Sequence, residues 1–241
     1  MKRSGFNMTN WDDHWAKYSV SKAERWLILE RDKIINSYLD KLGSSRKEVV
    51  EVGCGYGSNI KLIKKNRDDV ECYALDNSQV AIELVRREIP NSFLSDCRKT
   101  PFADNKFDLI FSAGLMEHLW DERPFLKEMR RILKDNGYMI TFVPARFSLW
   151  KLYQLIHFGS WKHGYEKSYT YNDLKSLFLN NNFEVSEILG IDPFGINGFI
   201  MKLLDTKFTT IFRKSFLKSG YLELCVIAKK FKSTKNKNIL I

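Results

Sequence analysis

The chain has 241 residues, 44% of them hydrophobic and 28% charged, with a formal net charge of +10. That length suits a single α/β domain with a core of its own, and the composition excludes a disordered or fibrous chain. The charge is uneven: residues 1–144 carry a net +2 and residues 145–241 a net +8, so an anionic partner is a question for the second part alone.

The first forty residues read as helix, because Trp26, Leu27, Leu29, Ile34, Ile35, Tyr38, Leu39 and Leu42 recur three and four apart. Gly43-Ser44-Ser45 ends that pattern. Short apolar runs then alternate with amphipathic segments. Strands are expected at 49–53, 70–75, 92–95, 107–112 and 138–143, and helices at 58–65, 78–88 and 123–133. Beyond Pro144 lies an aromatic- and glycine-rich stretch over 145–171. A helix near 171–179, a strand near 183–189, an irregular apolar stretch and a strand near 221–228 follow. The last residues, from 233 to 241, read as a basic flexible tail.

Continuously apolar strands alternating with helices predict a Rossmann-like, doubly wound α/β fold. Its sheet is expected to have seven mostly parallel strands with helices on both faces. One domain is expected over 1–232, in three parts: an N-terminal helical segment (1–44), a strand–helix core (45–145), and an insertion with helices (146–220).

Glu51-Val-Gly53-Cys54-Gly55-Tyr-Gly57 sits between the first strand and the next helix. Glycines there permit a sharp turn and let a ligand lie against the main chain. The following helix N-terminus offers unpaired N–H donors. Asp76 closes the next strand, nineteen residues beyond Gly57, where a carboxylate can accept both hydroxyls of a ribose. A dinucleotide site has similar geometry, but its pattern wants glycine or alanine where Ser58 stands. Glu51 also suits a cationic sulfonium better than an anionic pyrophosphate.

VVEVGCGYGSNIKLI resembles the first motif of the class I S-adenosylmethionine-dependent methyltransferases, and ALDNS resembles the acidic motif after it. SDCRKTPFADNKFDLIFSAGLMEHL is similar to the stretch that follows in the group typified by ubiquinone- and menaquinone-biosynthesis methyltransferases. The resemblance covers residues 45–145. It implies that Gly53, Cys54 and Gly55 line the methionine moiety with Glu51 nearby. Asp76 would hold the ribose, and Asn77, Asp96 and the Cys97 backbone would flank the adenine. Ser112 and Ala113 would pass beneath the cofactor. The resemblance also makes 45–145 the cofactor-binding core, 146–220 the acceptor-side insertion and 1–44 an N-terminal helical lid; the WDDHWAKYS segment resembles that lid, with Tyr18 as its contact. S-adenosylmethionine is the implied cofactor and S-adenosylhomocysteine the product.

Methyl transfer needs a base only if the acceptor must lose a proton near neutral pH. His118, after the fourth strand, is the candidate, against a reading in which it only braces a loop. Related O-methyltransferases carry an acidic ExxEH pattern here that goes with a divalent ion. Gly114 replaces its first acid, so no metal is expected. Cys54, Cys72, Cys97 and Cys225 show neither CxxC spacing nor a nearby histidine pattern. Neither zinc nor a disulfide framework is expected from them, and a reducing cytoplasm is the expected location. The N-terminus lacks the apolar region of a secretory signal.

His157, His163, Trp150, Tyr153, Trp161, Tyr165, Tyr169 and Tyr171 form either an aromatic acceptor pocket or a satellite apolar cluster. Residues 192–218 mix apolar and basic side chains and suit a pocket wall, a dimer face or peripheral membrane contact. A small-molecule acceptor is the expected partner, with O-, N- and C-methylation all open. The alternatives are an RNA methyltransferase using the basic second part, which shows no NPPY-type tetrapeptide, and a catalytically silent partner protein. Nucleic acid is therefore an unfavoured partner. Oligomeric state is left open by the sequence.

Overall fold

The computed structural model describes residues 11–43, 45–146, 166–191 and 222–230. Apolar runs that are β-branched or aromatic form the strands: β1 (Lys47–Val52), β2 (Val70–Asp76), β3 (Ser92–Leu94), β4 (Phe107–Ala113), β5 (Leu133–Pro144), β6 (Phe183–Ile191) and β7 (Glu223–Lys230). They make one seven-stranded sheet in the order β3-β2-β1-β4-β5-β7-β6. β1 to β5 run parallel, and β7 runs antiparallel between β5 and β6. The sequence reverses its direction of growth between β1 and β4, the switch point where such sheets bind ligands beyond the strands' carboxyl ends.

The helices are α1 (Trp11–Ala16), α2 (Lys22–Lys41), α3 (Ser58–Asn66), α4 (Gln79–Arg86), α5 (Arg123–Ile132) and α6 (Tyr171–Asn180), with a 3₁₀ turn at Met116–His118. Successive strand residues face opposite ways, and each face has its own core. Ile35, Tyr38 and Leu39 of α2 pack with Ile60 and Ile63 of α3 and Ile82 and Val85 of α4 over Val49, Phe111 and Phe142. On the other face Phe125, Leu126 and Met129 of α5 and Leu174 and Phe178 of α6 cover Val50, Val52, Ile110 and Val143.

The expected helical lid over 1–44 divides in two. Ser21 caps α2, its Oγ accepting the Glu24 N–H at 3.2 Å, and Gly43 ends it with φ +87°. Ile35 and Leu39 are fully buried, so α2 is a layer of the core rather than a lid. Arg31 ties it to the far side of the sheet by forking onto Glu223 at the start of β7. α1 packs on α4 and has no buried residue.

β5 starts five residues earlier than the apolar run suggests. Phe107 pairs with Leu133, and the ladder then slips before resuming at Leu109 and Tyr138. Asp135, Asn136 and Gly137 fall in the slip. A Cβ on Gly137 would come within 2.7 Å of the Asp108 carbonyl oxygen, which explains the glycine. The aromatic stretch from 147 to 165, with His157 and His163, lies outside the described residues, as do residues 192–218 and the tail from 233.

Replacing Ile35 by alanine removes a fully buried side chain from the α2–sheet contact. An expected loss of about 2–5 kcal/mol follows from the cavity it leaves. Urea denaturation reads it directly, and a loss below about 1 kcal/mol contradicts the docking of α2.

Candidate cofactor and acceptor site

The turn after β1 takes its shape from three glycines with positive φ: Gly53 at +71°, Gly55 at +49° and Gly57 at +74°. L-residues with a Cβ rarely adopt that region. The chain therefore doubles back tightly enough for the Gly53 and Cys54 N–H groups both to donate to the Leu75 carbonyl, at 2.8 and 3.1 Å. The turn is pinned to the end of β2.

Two buried carboxyls hold this turn. Asp76 ends β2 and is 6% exposed; one oxygen accepts the Gly55 N–H at 2.8 Å and the other the Ser78 N–H at 2.9 Å. The Asn77 backbone also favours the carboxylate, which still has acceptor capacity for a further donor. Burial pushes the Asp76 carboxyl above its ordinary range, against the opposing pull of those backbone donors. Glu51 turns the other way. It accepts from Asn59 Nδ2 at 2.9 Å and from the Ile60 N–H at 3.1 Å, and so caps the start of α3. Burial raises its pKa to about 7. Glu51 is thus a brace beneath the turn as well as a nearby charge.

Of the other expected cofactor contacts, Ser112 is buried and its Oγ lies 3.4 Å from Thr141 Oγ1, while Ala113 ends β4 beside it. Asn77 is exposed at the head of α4. Asp96 lies two residues past β3, and Arg98 forks onto it. That pairing holds the Asp96 carboxyl below the usual range. Cys97 beside it is buried, and burial lifts its thiol to about 12. All four cysteines are free and buried.

α1 lies over the turn. Asp12 accepts from Ser78 Oγ and from the Val80 N–H at the head of α4. Trp15 lies on Gly55 so closely that a Cβ there would run into the indole. Tyr18 sits in ring contact with Tyr56, 5.5 Å between centroids. Trp11 meets the His118 ring edge-on at 4.9 Å. Within the WDDHWAKYS segment the contacts come from Trp11, Asp12 and Trp15 as well as the expected Tyr18. Tryptophans four apart on a short helix were the available signal.

Glu117 is a further residue of this site that the sequence does not single out. The loop after β4 passes beside the glycine turn, with the Leu115 side chain 2.9 Å from where a Gly53 Cβ would stand. The 3₁₀ turn that follows is braced from outside. The Lys167 N–H donates to the Glu117 carbonyl at 2.9 Å, and the Tyr169 hydroxyl oxygen lies 3.3 Å from the Met116 carbonyl. Lys167 and Tyr169 also both hold Glu122, at 2.7 and 2.8 Å. The Glu117 side chain is 3% exposed, and its Oε2 has no hydrogen-bond partner. Burial, with Glu166 and Glu223 nearby, raises its pKa to about 8 despite the opposing Arg31. A carboxylate between Met116 and Leu119 was visible in the sequence, but its burial was not.

These features resolve whether the site suits the implied cofactor. Asn59 Oδ1 is buried beside Glu51 without a partner, an acceptor of the kind an ammonium group uses. Asp76 keeps acceptor capacity at the end of β2, and the Trp15 indole covers the main chain at Gly55. The donor set fits an adenosyl amino acid, provided that α1 yields the space Trp15 fills.

The family model of the methyltransferase domain matches residues 50–141. The chain belongs to the class I S-adenosylmethionine-dependent methyltransferases. It is 30% identical over 217 residues to an uncharacterized protein of Methanocaldococcus jannaschii, a match covering 83% of this chain and 91% of that one. It is 33% identical over 133 residues to a probable chloroplastic tocopherol O-methyltransferase of Oryza sativa, covering 52% of this chain and 36% of that one. Among solved structures, a SAM-dependent methyltransferase of Archaeoglobus fulgidus superposes with a TM-score of 0.61 at 21% identity, covering 84% of this chain and 94% of that chain, a likeness of fold. The chain spans little more than a third of the length of the first curated relatives that it matches.

Glu117 permits a test of the site's electrostatics. Its folded pKa lies above the unfolded value of 4.5, so the stability it confers is complete below pH 4.5 and is lost as pH rises through about 8. Glu117→Gln is expected to be more stable than the native protein at pH 9, by about 2–4 kcal/mol, and equal to it near pH 5. Chemical denaturation at the two pH values checks this. A variant less stable at pH 9 contradicts the unpartnered, buried carboxyl.

Proposed function

We propose that the protein transfers a methyl group from S-adenosylmethionine to a small-molecule acceptor. The observation that carries the reading is Asp76, a buried carboxylate at the end of β2. Its two oxygens grip the glycine turn on one side and the head of α4 on the other, with acceptor capacity to spare. A dinucleotide enzyme would want that carboxylate too. It would not want the second buried carboxyl, Glu51, under the turn, where a pyrophosphate would meet like charge.

In this reading the main chain at Gly53, Cys54 and Gly55 takes the amino-acid part, with Asn59 Oδ1 receiving its ammonium. Asp76 accepts from the ribose hydroxyls. Asn77, Asp96 and Cys97 border the adenine, Asp96 sharing its carboxylate with Arg98. Ser112 and Ala113 form the floor, and Tyr18 and Trp15 close the roof. When bound, the cofactor supplies an electrophilic sulfonium methyl. The chain's own task is to hold a nucleophile in line and keep water away, and such positioning is worth about 7–11 kcal/mol. His118, held edge-on by Trp11, stays in the reading as the candidate base at the rim of the site.

The acceptor's side is assigned to residues 146–220, within one domain ending near 232. A small acceptor is supported by the partial match to a tocopherol enzyme. No helix among the described residues is long and apolar enough to cross a membrane. A cytoplasmic enzyme is the proposed setting.

Calorimetric titration with S-adenosylhomocysteine tests the reading. Hydrogen bonds to a charged partner contribute about 1.5–3 kcal/mol each, so Asp76→Ala is expected to lose about a hundredfold or more in affinity. Unchanged affinity in that variant, or tight binding of NADH by the native protein, overturns the assignment.

A further inference from the structure

Glu117 is a buried carboxyl that the cofactor reading does not use. It stands at the carboxyl end of β4, beside the glycine turn and across from Arg31 of α2 and Glu223 of β7. Its Oε2 is buried and unpartnered, while every buried oxygen of Glu51 and Asp76 is engaged. Buried polar atoms in folded proteins nearly always have partners, and an orphan calls for a ligand or a functional role.

The charges around it decide what that ligand is. Arg31 is the cation within reach from α2, and it is already committed to Glu223. Glu166 approaches from the segment before α6, and Glu223 from β7. Glu51, from β1, also acts on Arg31 through its charge. Lys167 gives this turn its N–H, while its ammonium turns away to Glu122. His118 follows Glu117 on the same turn and packs on Trp11. Among the described residues the balance around Glu117 is acidic. An incoming anion, whether phenolate, carboxylate or phosphate, would meet like charge in a desolvated place.

We propose that Glu117 is the acceptor-binding carboxylate of this enzyme, and that the methyl acceptor is an amine which enters as its ammonium and gives a proton to Glu117 Oε2. This rests on the methyltransferase reading above and narrows it to N-methylation. Glu117, which carries a proton below about pH 8, gives it up to solvent as the ammonium binds; a proton then moves from nitrogen to the resulting carboxylate, freeing the lone pair. That pair forms the new C–N bond as the C–S bond breaks, its electrons staying on sulfur. The product leaves as the methylated ammonium, and Glu117 returns its proton to solvent. A carboxyl titrating near 8 is matched to such an exchange at neutral pH.

The test is binding, on the protein saturated with S-adenosylhomocysteine, of three probes of one shape: n-hexylamine, hexan-1-ol and hexanoate. The amine is expected to bind at least tenfold more tightly than either of the others. Titration at pH 7 in phosphate and in Tris, whose ionisation heats differ, is expected to reveal proton release on amine binding. Glu117→Gln is expected to keep its affinity for S-adenosylhomocysteine and to lose both the amine preference and the proton release. Equal or tighter binding of hexanol or hexanoate, no amine binding at all, or an amine preference that survives in Glu117→Gln overturns the proposal. The native protein's ranking decides the matter even if the variant fails to fold. A protein that does not take up S-adenosylhomocysteine fails the earlier reading, not this one.

Discussion

Three carboxyls are buried at one edge of the sheet, at or just beyond the carboxyl ends of β1, β2 and β4, and the solvation lost there must be recovered by something. Each is settled differently. Glu51 is recovered by the first turn of α3, and Asp76 by the N–H groups of Gly55 and Ser78. Glu117 has Arg31 at a distance and a free oxygen. The first two arrangements make the turn rigid, and the third leaves the edge chemically unfinished. A fold that tolerates such strain on one edge concentrates function there.

The topology makes this edge available. With β1 and β4 adjacent and their connections leaving in opposite directions, the loops after them part and open a crevice. β7 enters antiparallel, so its first residue, Glu223, arrives at the same edge as the last residues of β4 and β5. Arg31 then reaches across from α2 to meet it. A parallel last strand would have sent that glutamate to the opposite rim, and the acidic balance around Glu117 would be different.

Much of this was legible in the sequence. Apolar runs located every strand, and the glycine turn with Asp76 followed from spacing alone, because both depend on residues close in the chain. What was hidden depends on long-range packing. The periodicity of the first forty residues could not separate α1 from α2, because both carry aromatic and aliphatic residues at helical spacing. The Ser21 cap and the burial of Ile35 and Leu39 are what divide them. The early start of β5 comes from pairing with Phe107, a neighbour that the segment itself does not reveal. Trp15 on Gly55 joins residues forty apart, and Glu117 is near Arg31 only after the sheet has formed. A carboxylate in a polar-looking turn reads as surface until its neighbours are known.

The central claim is that the turn at Gly53–Gly57 with Asp76 is a cradle for an adenosyl group, roofed by a helix that can give way. A crystal structure of the protein with S-adenosylhomocysteine tests it most directly. The account predicts ribose hydroxyls on the Asp76 carboxylate and the Trp15 indole moved off Gly55. Adenosine bound elsewhere, or Trp15 still seated on that glycine with ligand in excess, would contradict it.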